Sequence, residues 1–304
     1  MSRIVSLLAS ATDMIYALGL IDNLVGISHE CDYPHQIKKL PVCTKPKFLT
    51  DGSSYEINER VKAVLENSLS VYKVDKEILE TLQPTHIITQ TQCHVCAVSF
   101  ADLKEITDQT ISSNPQIISL KPNSLEDIFN DIQNLGDNLQ TGTKARQIVD
   151  DYRSQIKAIA NSSKKLKSSY KVSLIEWLNP LMISSNWMPE LLNMLNLNYN
   201  FAKPGQHSQI IQIEQLLDYN PDFIIICPCG FSLDKTINEF PDLLNQPGFK
   251  NLTAYQQKNI YLADGNNYFN RPGPRIVETV QILAEIVYGL DYGHLNKSFI
   301  KPAI

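Results

Sequence analysis

The chain has 304 residues, 43% of them hydrophobic, and a formal charge of -5 at neutral pH. That length exceeds one ordinary compact domain and the apolar content suffices for two cores, so two lobes are expected. Basic residues are scattered and outnumbered by acidic ones, which removes the electrostatic footprint of a nucleic-acid partner; no apolar run approaches the roughly 18 residues of a membrane span.

Residues 3–8 carry Ile4, Val5, Leu7 and Leu8 and read as a first strand. Ser10, Thr12 and Asp13 break the apolar stretch before it resembles a signal-peptide core, so the segment runs into a helix instead. With no export segment ahead of that strand, a cytoplasmic location is predicted; the periplasm is the alternative if a signal peptide has been removed. Further β-favouring runs at 25–27, 86–89 and 117–120 alternate with helical periodicity such as Ile57, Val61, Val64 and Leu65. Between 124 and 160, Leu125, Ile128, Ile132, Leu135 and Leu139 mark one helix. Ile148, Tyr152, Ile156 and Ile159 mark a second, after an interruption at Gly142. Beyond the polar stretch 161–165, runs at 172–177, 223–227 and 260–263 restart the alternation. The halves echo each other: Leu82-Gln83-Pro84-Thr85-His86-Ile87-Ile88 has the form of Tyr219-Asn220-Pro221-Asp222-Phe223-Ile224-Ile225, a helix stopping before proline and a buried strand beginning. The predicted architecture is α/β: two Rossmann-like lobes with mainly parallel sheets, an N-terminal lobe over 1–140 and a C-terminal lobe over 167–304. A long backbone helix over 141–166 joins them, with the ligand cleft between the lobes.

In open α/β sheets ligands sit outside the carboxyl ends of the strands. That rule selects the loops 9–13, 28–34 and 91–98 in the first half and 178–187, 228–231 and 265–274 in the second. The six cysteines are too few and too unevenly spaced for a disulfide scaffold. Cys31, Cys93, Cys96 and Cys229 nevertheless fall in these loops, and Cys227 ends a strand at the same edge. Cys93-His94-Val95-Cys96 has metal or redox spacing. Thiolates of Cys31, Cys93, Cys96, Cys227 and Cys229, with His29 or His94, would suit a soft metal such as zinc or iron; small buried packing groups are the competing account. His29, Glu30, Asp32 and Tyr33 crowd one loop after a strand, offering a donor, carboxylates and an aromatic face. Trp177 and Trp187 flank the loop after the first strand of the second half. With Tyr33, Phe231, Tyr268 and Phe269 they are candidates for the walls of a large flat ligand, and Arg271 for an anionic group on it. No glycine-rich phosphate loop, nucleophile elbow or zincin helix occurs, so a binder is expected rather than an enzyme.

Arg3-Ile4-Val5-Ser6-Leu7-Leu8-Ala9-Ser10-Ala11-Thr12-Asp13, with Tyr16-Ala17-Leu18-Gly19, Leu24-Val25-Gly26-Ile27-Ser28 and Arg271-Pro272-Gly273-Pro274-Arg275, resembles the periplasmic-binding-protein family that captures iron siderophores, haem and vitamin B12. The segments from His29 to Pro34 and from Cys93 to Ser99 are similar to a subgroup described as cobalamin-binding. The resemblance implies a corrinoid or similar tetrapyrrole-sized ligand and, if the protein is exported, an ABC permease. Glu56 and Glu214 are then the candidates for the glutamates that dock on that permease. A cytosolic metal- or cluster-binding protein and an enzyme on a borrowed fold are the alternatives.

Overall fold

The computed structural model of the protein describes residues 2–66, 68, 70–91, 98, 100–166, 169–295 and 299–304, with Ala101 and Asp102 described by their backbone alone. It divides into two compact units: Met1–Gly52, Glu56–Pro122 and Glu126–Asp150 form the first, and Ser53–Tyr55, Asn123–Leu125 and Asp151–Ile304 the second.

The first half of the chain contains β1 (Ile4–Ser6), α1 (Ala9–Ala17), β2 (Leu24–Ile27), β3 (Thr44–Pro46), α2 (Ser54–Leu65), β4 (Tyr72–Val74), α3 (Lys76–Leu82), β5 (His86–Gln90), α4 (Phe100–Thr110), β6 (Gln116–Leu120) and α5 (Leu125–Asn138). β1, β2, β5 and β6 form one sheet in the order β2-β1-β5-β6, all parallel. Helices cover both faces of such a sheet, so its strands read as near-continuous apolar runs. Ile4, Val5, Ile87 and Ile88 are all fully buried. A separate two-stranded ribbon pairs β3 with β4 antiparallel, Thr44 opposite Val74 and Pro46 opposite Tyr72. It packs on the sheet through Cys43 and Val74, which share a core cluster with Val5, Leu79 and Ile87. Sequence periodicity misses this ribbon because neither strand exceeds three residues.

α6 (Gly142–Lys165) follows, and the division between the units falls within it. Then come β7 (Val172–Trp177), β8 (Met182–Ile183), α7 (Met188–Met194), β9 (Gln209–Ile210), α8 (Ile213–Tyr219), β10 (Phe223–Ile226), α9 (Leu233–Leu244), α10 (Thr253–Gln256), β11 (Ile260–Ala263), α11 (Ile276–Tyr288) and β12 (Ile300–Pro302). The sheet order is β12-β11-β10-β7-β8-β9. Its centre, β11-β10-β7, is parallel, and β12, β8 and β9 add antiparallel edges. α11 buries all round, as a helix apolar on every face must. Its one buried charge, Glu285, is satisfied because the backbone N–H groups of Tyr292 (2.5 Å), His294 (3.0 Å) and Leu295 (2.9 Å) donate to it. Two short segments from earlier in the chain belong to this unit: Ser54 donates its N–H to Glu239 and Leu125 to Glu190, each at 2.9 Å.

The sequence echo is a structural one. Gln83 and Asn220 both end their helices in the left-handed conformation, at φ 45° and 47°, where an αL residue can satisfy the last carbonyls. Each is followed by proline, then by β5 or β10. Among the described residues no helix is long and apolar enough to cross a membrane.

Candidate functional site

In the first unit the four parallel strands bring the loops after β1, β2, β5 and β6 to one sheet edge. After β1 the chain turns at once into α1. There the Thr12 hydroxyl donates to Ser6 Oγ (2.9 Å) and lies 3.1 Å from Cys31 Sγ. Cys31, a metal candidate from sequence, is thus buried and engaged by a hydroxyl.

After β2, Ser28 and His29 meet the ribbon. His29 donates its backbone N–H to Thr44 Oγ1 (3.2 Å), and its Nδ1 lies 2.8 Å from the same oxygen. Thr44 in turn donates to Ser28 Oγ at 3.0 Å. The imidazole packs against Tyr72, ring centroids 4.8 Å apart at an interplanar angle of 73°, and the Tyr72 hydroxyl donates to Glu30 Oε1 at 2.5 Å. Partial burial holds the His29 pKa below its ordinary value, so the ring is neutral at pH 7. Tyr33 stands edge-on to Tyr16, 5.5 Å between centroids, and both rings are about two-fifths exposed (42% and 41%), so they present an aromatic surface. The loop after β5 holds Cys93, His94 and Cys96, which lie outside the described residues. After β6, the Lys121 N–H donates to both oxygens of Asp131 (3.2 and 2.9 Å). Burial pushes the Asp131 carboxyl up to about 7.

In the second unit the loops after β7, β10 and β11 share the corresponding edge. Trp177 ends β7 half-buried, its ring 5.0 Å from that of Phe231 at an angle of 59°. Its Nε1 donates to the carbonyls of Asn179 (3.1 Å) and Ser54 (3.2 Å). Phe231 carries the Lys235 ammonium 4.0 Å from its ring centre, a cation–π contact. Trp187 opens α7 buried, its indole N–H without a partner among the described residues.

The loop after β11 is a five-residue π-helical turn, Gly265–Phe269, started by Asp264. That carboxylate accepts the N–H groups of Asn266 (2.8 Å) and Asn267 (3.0 Å). Gly265 is required by close approach: a Cβ there would lie 1.9 Å from the Pro228 carbonyl oxygen. Asn270 then ties Cys227 O (2.8 Å) to Gly265 O (2.9 Å), joining the β10 and β11 loops. Phe269 is fully buried and Arg271 is 3% exposed, donating to Asn266 Oδ1 at 3.3 Å. Arg271 is therefore a buried guanidinium, against the default expectation for arginine.

The thiols differ sharply. Cys227 is fully buried, and burial, reinforced by the neighbouring Glu176, raises its pKa well above the ordinary value; Cys43 is pushed up to about 12 by burial. Such thiols stay protonated and unreactive. Cys229, two residues past Cys227, is exposed. Glu176 itself is raised by burial, with the Ser208 hydroxyl donating to it at 2.9 Å. Among the described residues no three His, Cys, Asp or Glu side chains group so as to hold a metal ion.

Sequence reasoning missed Thr44, Tyr72, Glu176 and Asp264. Only Asp264 carried a local signal, an aspartate followed by glycine and two asparagines.

The chain matches the periplasmic binding protein family over residues 4–266 and belongs to that family. It is 24% identical over 292 residues to the ABC transporter substrate-binding lipoprotein YvrC of Bacillus subtilis, covering 94% of this chain and 80% of that protein. It is 23% identical to the vitamin B12-binding protein of Vibrio parahaemolyticus, covering 91% and 86%. The fold is that of the periplasmic haem-binding protein RhuT from Roseiflexus (TM-score 0.71, 19% identity, 95% of this chain and 98% of that one). It is also that of the periplasmic vitamin B12-binding protein BtuF from Vibrio cholerae (TM-score 0.63, 20% identity, 94% and 96%). These findings overturn the cytoplasmic location expected from sequence. The family is periplasmic and the Bacillus relative a lipoprotein, which points outside the cytoplasm. The apolar pattern at the start of the first strand reports on that strand's burial and carries no address.

Proposed function

We propose that this solute-binding protein takes a corrinoid, or a similar tetrapyrrole-sized metal chelate, at its strand-end loops, and hands it to an ABC permease without chemical change. The observation that carries the reading is the aromatic provision at those edges. The Tyr33–Tyr16 pair lies on the first unit, with both rings exposed, and Trp177 is braced by Phe231 on the second. Flat, polarisable rings of this size suit the face of a macrocycle. Relatives described as vitamin B12-binding support the corrinoid, and a substrate-binding lipoprotein relative supports the permease. His29 and Cys229 supply donors at the same edges, Arg271 orders the β11 loop, and Trp187 and Phe269 are buried in the second unit.

The test is titration of the purified protein with hydroxocobalamin and, separately, haemin, followed by absorbance and tryptophan quenching. Saturable one-to-one binding of one of them, weakened at least tenfold in Trp177→Ala, is expected. Failure of both to bind defeats the reading.

A further inference from the structure

The hydroxyl network behind His29 decides which imidazole nitrogen carries the proton. Thr44 has one hydroxyl hydrogen, and it is directed to Ser28 Oγ at 3.0 Å. The Thr44 oxygen is then an acceptor toward His29, receiving the backbone N–H at 3.2 Å and facing Nδ1 at 2.8 Å. A contact of 2.8 Å between two acceptors would be repulsive, so Nδ1 bears the hydrogen and donates it. The Ser28 hydroxyl, 3.5 Å from Nδ1, is too far to compete. It is already the acceptor for Thr44 and for the Glu30 N–H at 3.3 Å. Nε2 is therefore left with its lone pair, and it makes no hydrogen bond among the described residues.

The ring is also held in place. Ser28 and Thr44 are 2% and 5% exposed, so neither hydroxyl can swing away. Tyr72 packs against the imidazole, ring centroids 4.8 Å apart at 73°, and is itself tied to Glu30. Thr44 and Tyr72 sit on the paired strands of one ribbon, β3 and β4, which gives the backing a rigid base. A neutral imidazole whose Nδ1–H is anchored and whose Nε2 is bare is the arrangement in which histidine ligates a metal.

We infer that His29 is an axial ligand: its Nε2 lone pair fills the open coordination position of the metal at the centre of a planar chelate, displacing one water. Thr44 is the positioning residue that fixes the tautomer. The inference rests on the chelate-binding function proposed above. Cobalt in a corrinoid and iron in haem offer the same chemistry, and separate titrations distinguish them.

The experiment uses the full chain with three probes: haemin, diaquocobinamide, and dicyanocobinamide, whose two axial positions are already filled. Wild-type protein should bind at least one of the open chelates with an absorption spectrum characteristic of nitrogen ligation. His29→Ala should lose that spectral signature and bind the open chelate roughly 10- to 100-fold more weakly, with dicyanocobinamide affinity unchanged. Thr44→Val should weaken the signature and Thr44→Ser restore it. Nitrogen NMR of the ligand-free protein should show the Nδ1–H tautomer at His29. An open-chelate spectrum unaltered by His29→Ala, an equal loss for dicyanocobinamide, or the Nε2–H tautomer would overturn the axial role while leaving chelate binding in place. Absence of binding to all three probes would overturn both.

Discussion

The two sheet edges are built from the same kind of loop but from different chemistry. In the first unit the strand ends are lined by small hydroxyls. Ser6, Thr12, Ser28 and Thr44 hydrogen-bond to one another or to their neighbours, and His29, which Thr44 holds, keeps part of its surface outside. In the second unit the strand ends carry rings and close backbone approaches: Trp177 on Phe231, and Gly265 against the Pro228 carbonyl. One edge is organised by directional hydrogen bonds and so can aim a donor. The other is organised by packing and so can offer a wall. The difference lies in what flanks each strand end. A ribbon bearing Thr44 and Tyr72 lies beside β2, whereas β7 is flanked by β8 and β10 of its own sheet.

The sharpest break in the packed edge is Gly265→Ala. The added Cβ meets backbone carbonyls rather than a movable side chain, at 1.9 Å from Pro228 O and 2.6 Å from Cys227 O. A loss of about 4 kcal/mol or more in denaturant unfolding is expected. If the variant unfolds within about 1 kcal/mol of wild type, close packing of the β10 and β11 loops is not what shapes this edge.

On the hydrogen-bonded edge the largest effect is pH-dependent. Asp131 has a folded-state pKa of about 7 against an ordinary 3.8, raised by burial. Between those values the folded chain keeps a proton that the unfolded chain has released, so stability falls as pH rises through the window and levels off above it. By linkage this amounts to a few kcal/mol at most, roughly 1.4 kcal/mol for each tenfold difference in proton affinity between the folded and unfolded chains. Urea unfolding from pH 4 to 8 should show the slope in wild type and a flatter profile in Asp131→Asn. Equal profiles would remove Asp131 as its source.

Trp177→Ala and Tyr33→Ala compare the two edges directly. Trp177 loses ring packing and two hydrogen bonds and should cost about 2 kcal/mol of stability. Tyr33 is 42% exposed and should cost under about 1 kcal/mol. Both should weaken chelate binding. Equal stability losses would erase the contrast drawn between wall and surface ring.

The smallest effect is chemical. Cys229 is exposed while Cys31, Cys43 and Cys227 are buried, so maleimide should label Cys229 in the native protein and spare those three until denaturant is added. Mass spectrometry of the labelled peptides checks this, and rapid native labelling of Cys227 would show its surroundings to be open.

Much of this was legible in the chain itself. The long apolar runs of the parallel strands, the helix stops at Gln83-Pro84 and Asn220-Pro221, and the opening and closing motifs of the family are local signals. Burial on both faces demands continuous hydrophobicity, and proline constrains its own neighbours. These determined the α/β class, the repeat of one plan in two halves and the loops in which to search. The tertiary structure alone decided how the searched residues divide. Cys31 and Cys229 occupy equivalent-looking loops, yet one is buried against Thr12 and the other exposed. Arg271 looks like a surface charge and is buried. His29 is backed by Thr44 and Tyr72, which lie 15 and 43 positions along the chain and in strands too short to show a period. Burial and hydrogen-bond partnership are properties of what the rest of the fold brings alongside a residue, and no stretch of sequence around that residue contains them.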